Sequence, residues 1–194
     1  VARTRIGLWE DLFQSALVLL VLFSGLIPWL AGPLDGRRLG LTPSGVIFFF
    51  AIGIIMGAAG IPFDLYRTFG IERRFGFSTI TLKLWLADFL KATLISAILS
   101  GILLAALFGL IGAATKTWWL WMWIFYAGFQ LLMTVLYPLV IAPLFNKFEP
   151  LDDPLITGGV MSLMDKAGLK AKGVYRVDAL KRSRHSNAYF TGLG

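Results

Sequence analysis

PFDLYRTFGIERRFGFSTIT, residues 62–81, is the stretch whose reading decides the fold. It is charged and aromatic, and it lies between two long apolar runs. Arg67, Arg73 and Arg74 are too costly to leave in hydrocarbon, so the insert belongs at a membrane surface. The runs on either side are each long enough to cross a bilayer, which needs roughly 20 apolar residues at a helical rise of about 1.5 Å. The insert therefore decides which side of the membrane its neighbours occupy.

Composition agrees. Of 194 residues, 57% are hydrophobic and 15% charged, and the mean hydropathy is +0.76. A soluble domain carries about one charged residue in four, so an integral membrane protein is expected. The net charge of +7 raises the question of nucleic acid. The basic residues, however, gather where apolar runs end, which fits positive-inside topology and anionic lipid; no nucleic acid partner is expected. With no cysteine, disulfides and thiolate metal sites are excluded. The chain begins with Val1 and reads as an internal fragment, with no recognisable signal peptide.

Outward from the insert, the expected fold is a membrane all-α region of four transmembrane helices, followed by the start of an α+β soluble domain, which the family resemblance given below makes metalloprotease-like. The spans are expected at about 12–30, 43–61, 81–114 and 118–145, and the domain division at 1–149 and 150–194. The first run lies between Trp9 and Trp29, which suit the interface, and Pro28, Gly32 and Pro33 are expected to stop it. The second starts near Pro43 and ends before Pro62. Its Gly53 and Gly57 stand at GxxxG spacing, read as a helix-packing face. Thr81 opens the third, where Asp88 and Lys91 share a face and are expected to pair. Ala97, Gly101, Ala105 and Gly109 form a second small-residue stripe.

Trp118, Trp119, Trp121 and Trp123 read as an interfacial belt; a cation-binding cage is the weaker reading. Pro138 and Pro143 are expected to kink the end of the fourth run. Then NKFEPLDDP, from Asn146, reads as a polar linker. Asp152 or Asp153 is the expected cap of a helix with Pro154 at its first position and Leu155, Ile156, Val160, Leu163, Met164 and Ala167 on one face. Residues 174–177 and 187–191 read as strands. Arg3, Arg5, Arg67, Arg73, Arg74 and Lys147 outnumber Arg37, Arg38 and Lys116 opposite, so the soluble segment is expected in the cytoplasm.

From the residues alone no catalytic constellation emerges. One histidine, His185, and no cysteine do not make a zinc site, and no HExxH, phosphate-binding glycine loop or nucleophile elbow is present. Two function classes remain open on this reading, an enzyme fragment and a non-enzymatic membrane scaffold or transporter module.

Four blocks then carry a resemblance: IPFDLYRTFGIERRFGFSTIT, LADFLK, YPLVIAPLFNKFEPLDD and KRSRHSNAYFTG. In this order and spacing the chain is similar to the CAAX prenyl protease 1 family of integral-membrane zinc metalloendopeptidases. The resemblance implies seven transmembrane helices around a chamber, of which this chain matches the second to the fifth, and the opening of a cytoplasmic peptidase domain. It implies zinc, with ligands and general base that lie in the remainder of the same polypeptide; no catalytic or metal-ligating residue is assigned within these 194.

The implied partners are the lipid bilayer and a peptide substrate, a prenylated C-terminal peptide. The implied location is the endoplasmic reticulum membrane in a eukaryote, the inner membrane in a bacterium. The same resemblance makes His185, Ser186, Asn187, Ala188 and Tyr189 substrate-binding. There an edge strand pairs with the peptide backbone, and Asn187 is the leading candidate. Taken without the resemblance, these are ordinary residues at a turn before a strand.

Overall fold

A computed structural model describes residues 2–35, 39–169 and 173–184. The chain forms two compact units, 1–126 and 127–194. Each has its own logic.

In the first unit, α1 (Ala2–Phe23), α2 (Leu26–Asp35), α3 (Leu41–Leu65) and α4 (Leu82–Ala113) follow in order. The first apolar run is split, where one helix over 12–30 was expected. Gly25 takes φ +79°, a left-handed conformation that costs glycine little and ends α1. Ser24 Oγ then accepts from Leu26 N–H at 3.4 Å to start α2. Pro28 lies in the first turn of α2, where no intrahelical donor is needed, so it begins a helix where it was expected to end one.

The second run also differs from expectation. α3 passes through Pro62 and continues as a π-helical segment, Tyr66–Glu72. Half of the charged insert is thus helical, and the turn proper comes later. There Gly76 has φ +74°, and Glu72 C=O accepts from Phe77 N–H (2.9 Å) and Ser78 N–H (3.2 Å). Thr81 caps α4 as expected, its Oγ1 accepting from Leu84 N–H at 3.3 Å.

α3 and α4 pack against each other, at Gly101 of the expected stripes but not at their other glycines. A side chain on Gly53, Gly57 or Gly109 would meet nothing within 4 Å. The close approaches lie at Gly45, where a Cβ would come 2.5 Å from the Phe108 ring, and at Gly101, 3.6 Å from Phe50. Four-residue spacing makes close approach possible but does not choose the partner.

α5 (Trp118–Leu136) begins in the first unit and ends in the second, giving way to a π-helical segment, Tyr137–Ile141, and the short α6 (Ala142–Phe145). Pro138 stands at the second position of that π-helical segment and Pro143 at the second of α6, the sites of the expected kinks. Among the described residues four helices are long and apolar enough to cross a membrane: Thr4–Phe23, Leu41–Glu72, Leu82–Ala113 and Trp118–Phe145. Among the described residues, Val21, 6% exposed, is the one buried apolar side chain. Water does not tolerate so much bare hydrocarbon, so the apolar surface requires lipid or further protein.

The second unit contains a two-stranded antiparallel sheet. β1 (Phe148–Pro150) pairs with β2 (Tyr175–Val177) in the register Phe148↔Val177, Glu149↔Arg176, Pro150↔Tyr175. The stretch read as a linker is therefore a strand in part. Its partner lies some 27 residues away in sequence, which local reading does not reach. Pro150 has no N–H and stands last in its strand, where the ladder loses least.

Asp153 caps α7 (Pro154–Lys166): its Oδ1 accepts from Leu155 N–H (3.0 Å) and Ile156 N–H (3.1 Å), and Pro154 is at the first position. Gly168, at φ +70°, closes the helix. Leu169 N–H reaches Met164 C=O at 2.9 Å and Gly168 N–H reaches Asp165 C=O at 3.0 Å, a Schellman ending. Leu155, Ile156 and Leu163 of the expected apolar face stand exposed.

Candidate functional site

Of the four blocks, the two of the first unit lie at the end of α3 with the turn that follows it, and in the start of α4. Arg67 Nη2 donates to Glu10 Oε2 of α1 at 2.6 Å; the side chains are 31% and 23% exposed. Trp85 Nε1–H, from the first turn of α4, donates to Asp64 Oδ2 at 2.8 Å. The Trp85 ring stacks on Phe89 (5.3 Å, 11°) and meets Phe69 edge-on (6.5 Å). Each of α1, α3 and α4 thus contributes a polar group to these contacts, while Arg67 Nε is buried without a hydrogen-bond partner among the described residues. Such pairing is what ionisable groups need near hydrocarbon. Arg73 and Arg74 are exposed in the last helical residues before the turn at Phe75 and Gly76. Asp88 and Lys91 both lie in α4 three residues apart, on one face.

Farther along α4, Ala105, Ala106, Gly109 and Leu110 face Trp121, Ile124 and Phe125 of α5 across an open apolar groove of about 490 Å³. Half of the small-residue stripe therefore lines space.

In the second unit the other two blocks are joined. Arg182 Nη1 donates to Asn146 Oδ1 at 2.8 Å, and its Nη2 to Phe145 C=O at 2.6 Å. Asp178 Oδ1 accepts from Lys147 N–H at 2.8 Å, and its Oδ2 takes Lys181 Nζ at 2.6 Å. The Lys181 hydrogen bond, aided by Lys147 N–H and the nearby positive charges of Lys181 and Arg182, holds the Asp178 carboxyl below its ordinary value of 3.8 against a partial desolvation. Of these residues, Asn146 and Lys147 were read from sequence as part of a polar linker. What joins them is contact between segments over thirty residues apart, for which sequence spacing carries no signal.

The residues singled out for substrate, His185, Ser186, Asn187, Ala188 and Tyr189, lie outside the described residues, as do Arg37 and Arg38. The chain reaches His185 three residues after Arg182. Among the described residues no three of His, Cys, Asp and Glu converge as a metal site. They do not fit zinc, and no step through a metal follows from them.

Comparison with known proteins gives the site its context. Residues 1–147 match the family model of the CAAX prenyl protease N-terminal region, described as five membrane helices. A CAAX prenyl protease 1 homolog of Arabidopsis thaliana is 35% identical over 181 residues, covering 89% of this chain and 42% of that protein. CAAX prenyl protease 1 of Saccharomyces cerevisiae is 29% identical over 203 residues, covering 99% and 45%. The crystal structure of S. mikatae Ste24p superposes with a TM-score of 0.88 at 26% identity, over 98% of this chain and 46% of that one. The chain thus spans less than half the length of these relatives. On the family match over residues 1–147 and the shared membrane fold, the chain belongs to the CAAX prenyl protease family, of which it carries the N-terminal membrane region.

Proposed function

We propose that this chain is part of an integral-membrane zinc metalloendopeptidase that cleaves near the C-terminus of prenylated CAAX-type peptides. The observation that carries the reading is the Ste24p likeness, which extends over 98% of the chain. It includes the second unit, beyond the residues that the family model matches. The scaffold or transporter alternative is not favoured, because the relatives named above are proteases.

In this reading the helices do two things. They form part of the wall of an intramembrane chamber, to which the open faces at Gly53, Gly57 and Gly109 and the groove beside Trp121 are suited. They also bring the soluble segment, from about residue 150, to the cytoplasmic surface that carries Arg67, Arg73 and Arg74. His185, Ser186, Asn187, Ala188 and Tyr189 hold the extended peptide, chiefly by main-chain pairing, with the Asn187 amide as a side-chain donor and acceptor. Zinc and its ligands come from the remainder of the polypeptide.

The test is cleavage by the full-length protein, purified and reconstituted in vesicles. It is expected to cleave a farnesylated C-terminal peptide at a kcat/KM well above that for the same peptide unprenylated. Equal rates on the two would leave a membrane peptidase without prenyl preference. No cleavage of either by zinc-replete protein would overturn the reading.

A further inference from the structure

α1 and α3 run antiparallel, and three contacts fix their register. Arg67 Nη2 meets Glu10 Oε2 at 2.6 Å, the rings of Phe13 and Phe63 lie 5.2 Å apart, and a Cβ on Gly60 would stand 3.5 Å from Gln14 Nε2. Carried on at the same helical rise, Gly25 falls level with about residue 50 of α3. α2 stays in contact with α3, and its last residue falls level with about residue 41, where α3 begins. α1 and α2 are therefore one broken crossing. The break at Ser24–Gly25 lies about 13 Å in from the start of α3 and about 25 Å from Arg67, which is hydrocarbon depth.

Broken backbone is costly there. A helix end leaves its last carbonyls, and the next helix its first N–H groups, without intrahelical partners. Leu20 C=O takes Ser24 N–H at 2.8 Å, and Ser24 Oγ takes Leu26 N–H at 3.4 Å, but Gly25 N–H finds no backbone partner among the described residues. Ser24 and Gly25 are exposed, and a Cβ on Gly25 would meet nothing within 4 Å. Irregular backbone at this depth persists only against protein or water, never against lipid.

The side chains of α1 divide in the same sense. Glu10, Gln14, Leu17 and Val21 recur at three- and four-residue spacing on the side turned to α3, and all are at least half-buried. Ser24 follows three residues after Val21, at the border of that side. Leu19 comes about two and a half turns after Glu10 and so lies opposite; it is 56% exposed, and Phe23 is 84% exposed. Polar groups within a span turn to its interior or to water, and apolar ones suit lipid. Water serves open N–H and C=O groups without a partner of matched geometry, which a packed segment would have to supply for each.

We infer that the Ser24–Gly25 break borders water inside the membrane span, while the side of Leu19 and Phe23 borders lipid. This rests on the membrane-spanning fold and not on the substrate reading.

The experiment uses the full-length protein in permeabilised vesicles, with any cysteine elsewhere replaced, since these 194 residues contain none. Ser24→Cys, Leu19→Cys and Arg74→Cys are made singly, and the rate of modification by a charged, water-soluble thiosulfonate is measured. The reacting form is the thiolate, which forms where water reaches the sulfur. Ser24→Cys is expected to react within about tenfold of the exposed Arg74→Cys, and at least about a hundredfold faster than Leu19→Cys. Amide hydrogen exchange of the wild-type protein is read in parallel and decides the matter if Ser24→Cys does not fold. Exchange over residues 24–27 is expected to be at least about a hundredfold faster than over residues 15–20. Modification of Ser24→Cys as slow as that of Leu19→Cys would overturn the inference by placing the break against lipid or against another segment of the polypeptide, and so would exchange over 24–27 as slow as over 15–20.

Discussion

The two units hold themselves together by opposite means. In residues 1–126 apolar surface faces outward almost everywhere, and a few polar pairs, Arg67–Glu10 and Asp64–Trp85, tie one helix to the next. In the part of the second unit that follows the fourth apolar span, the ties among the described residues are hydrophilic: a two-stranded ladder, a capped helix, and the grip of Arg182 and Asp178 on residues 145–147. Lipid supplies the driving force for the spans and tolerates few unpaired polar groups. Water competes with every bond of the part beyond them, so several must act together. The difference teaches where each unit is fragile. The first is sensitive to an orphaned charge or an added side chain at a close approach, the second to the loss of a shared hydrogen-bond partner.

The largest effect that would sharpen this contrast is expected at Asp88 and Lys91, which share one face of α4 and are expected to pair. Replacing Asp88 or Lys91 singly by Leu leaves its neighbour's charge near hydrocarbon, at a cost of about 2–3 kcal/mol. The double replacement is expected to cost less than either single one. Thermal unfolding in detergent measures this, and equal destabilisation by single and double changes would show that each residue serves a separate partner. Glu10→Gln in the neighbouring pair is expected to cost about 1–2 kcal/mol, less because both side chains keep some access to solvent.

Next comes the glycine pair. Gly45→Ala drives a methyl toward the Phe108 ring and is expected to destabilise the α3–α4 contact by about 1–3 kcal/mol, whereas Gly53→Ala meets open space and is expected to cost less than 0.5 kcal/mol. The same unfolding measurement compares them. Equal costs at the two positions would break the assignment of the close approach to Gly45.

The smallest effect concerns pH in the second unit. Asp178 has a lowered carboxyl pKa, so its ionised form is favoured by folding. Its contribution is fully present above the ordinary value of 3.8 and is lost as pH falls through the lower folded value. Hydrogen exchange at Lys147 N–H is expected to keep its protection factor from pH 7 to pH 5 and to lose it below about pH 3.8. Asp178→Asn is expected to remove that pH dependence. Loss of protection already near pH 6 would point to another group.

What was legible in the sequence was local. Thr81 and Asp153 each sit where a short oxygen-bearing side chain meets the free N–H groups of the next helix, and Pro154 needs no donor at the first position, so both helix starts could be read from a few neighbours. The apolar spans were legible because hydrocarbon imposes length and composition. The misread features depend on distant partners. Gly25 rather than Pro28 ends α1, because a left-handed turn does not show in composition. α3 runs on past Pro62, and the Glu10–Arg67 pair at its end bridges two helices. β1 and the Arg182 grip need segments brought from more than twenty-five residues away. The residues first singled out for substrate, 185–189, stand beyond that grip and outside the described residues.

The measurement that bears most directly on the whole account is peptide cleavage by the full-length protein carrying changes in the run that the second unit leads into, with zinc content read in parallel. Ala188→Pro removes a main-chain donor from an edge strand and is expected to abolish cleavage at normal zinc content. Asn187→Ala is expected to lower kcat/KM about tenfold, a loss of about 1.4 kcal/mol of transition-state stabilisation. His185→Ala is expected to do less and to keep its zinc. Loss of zinc in His185→Ala, with Asn187→Ala near wild type, would contradict the account by placing this run in the metal site.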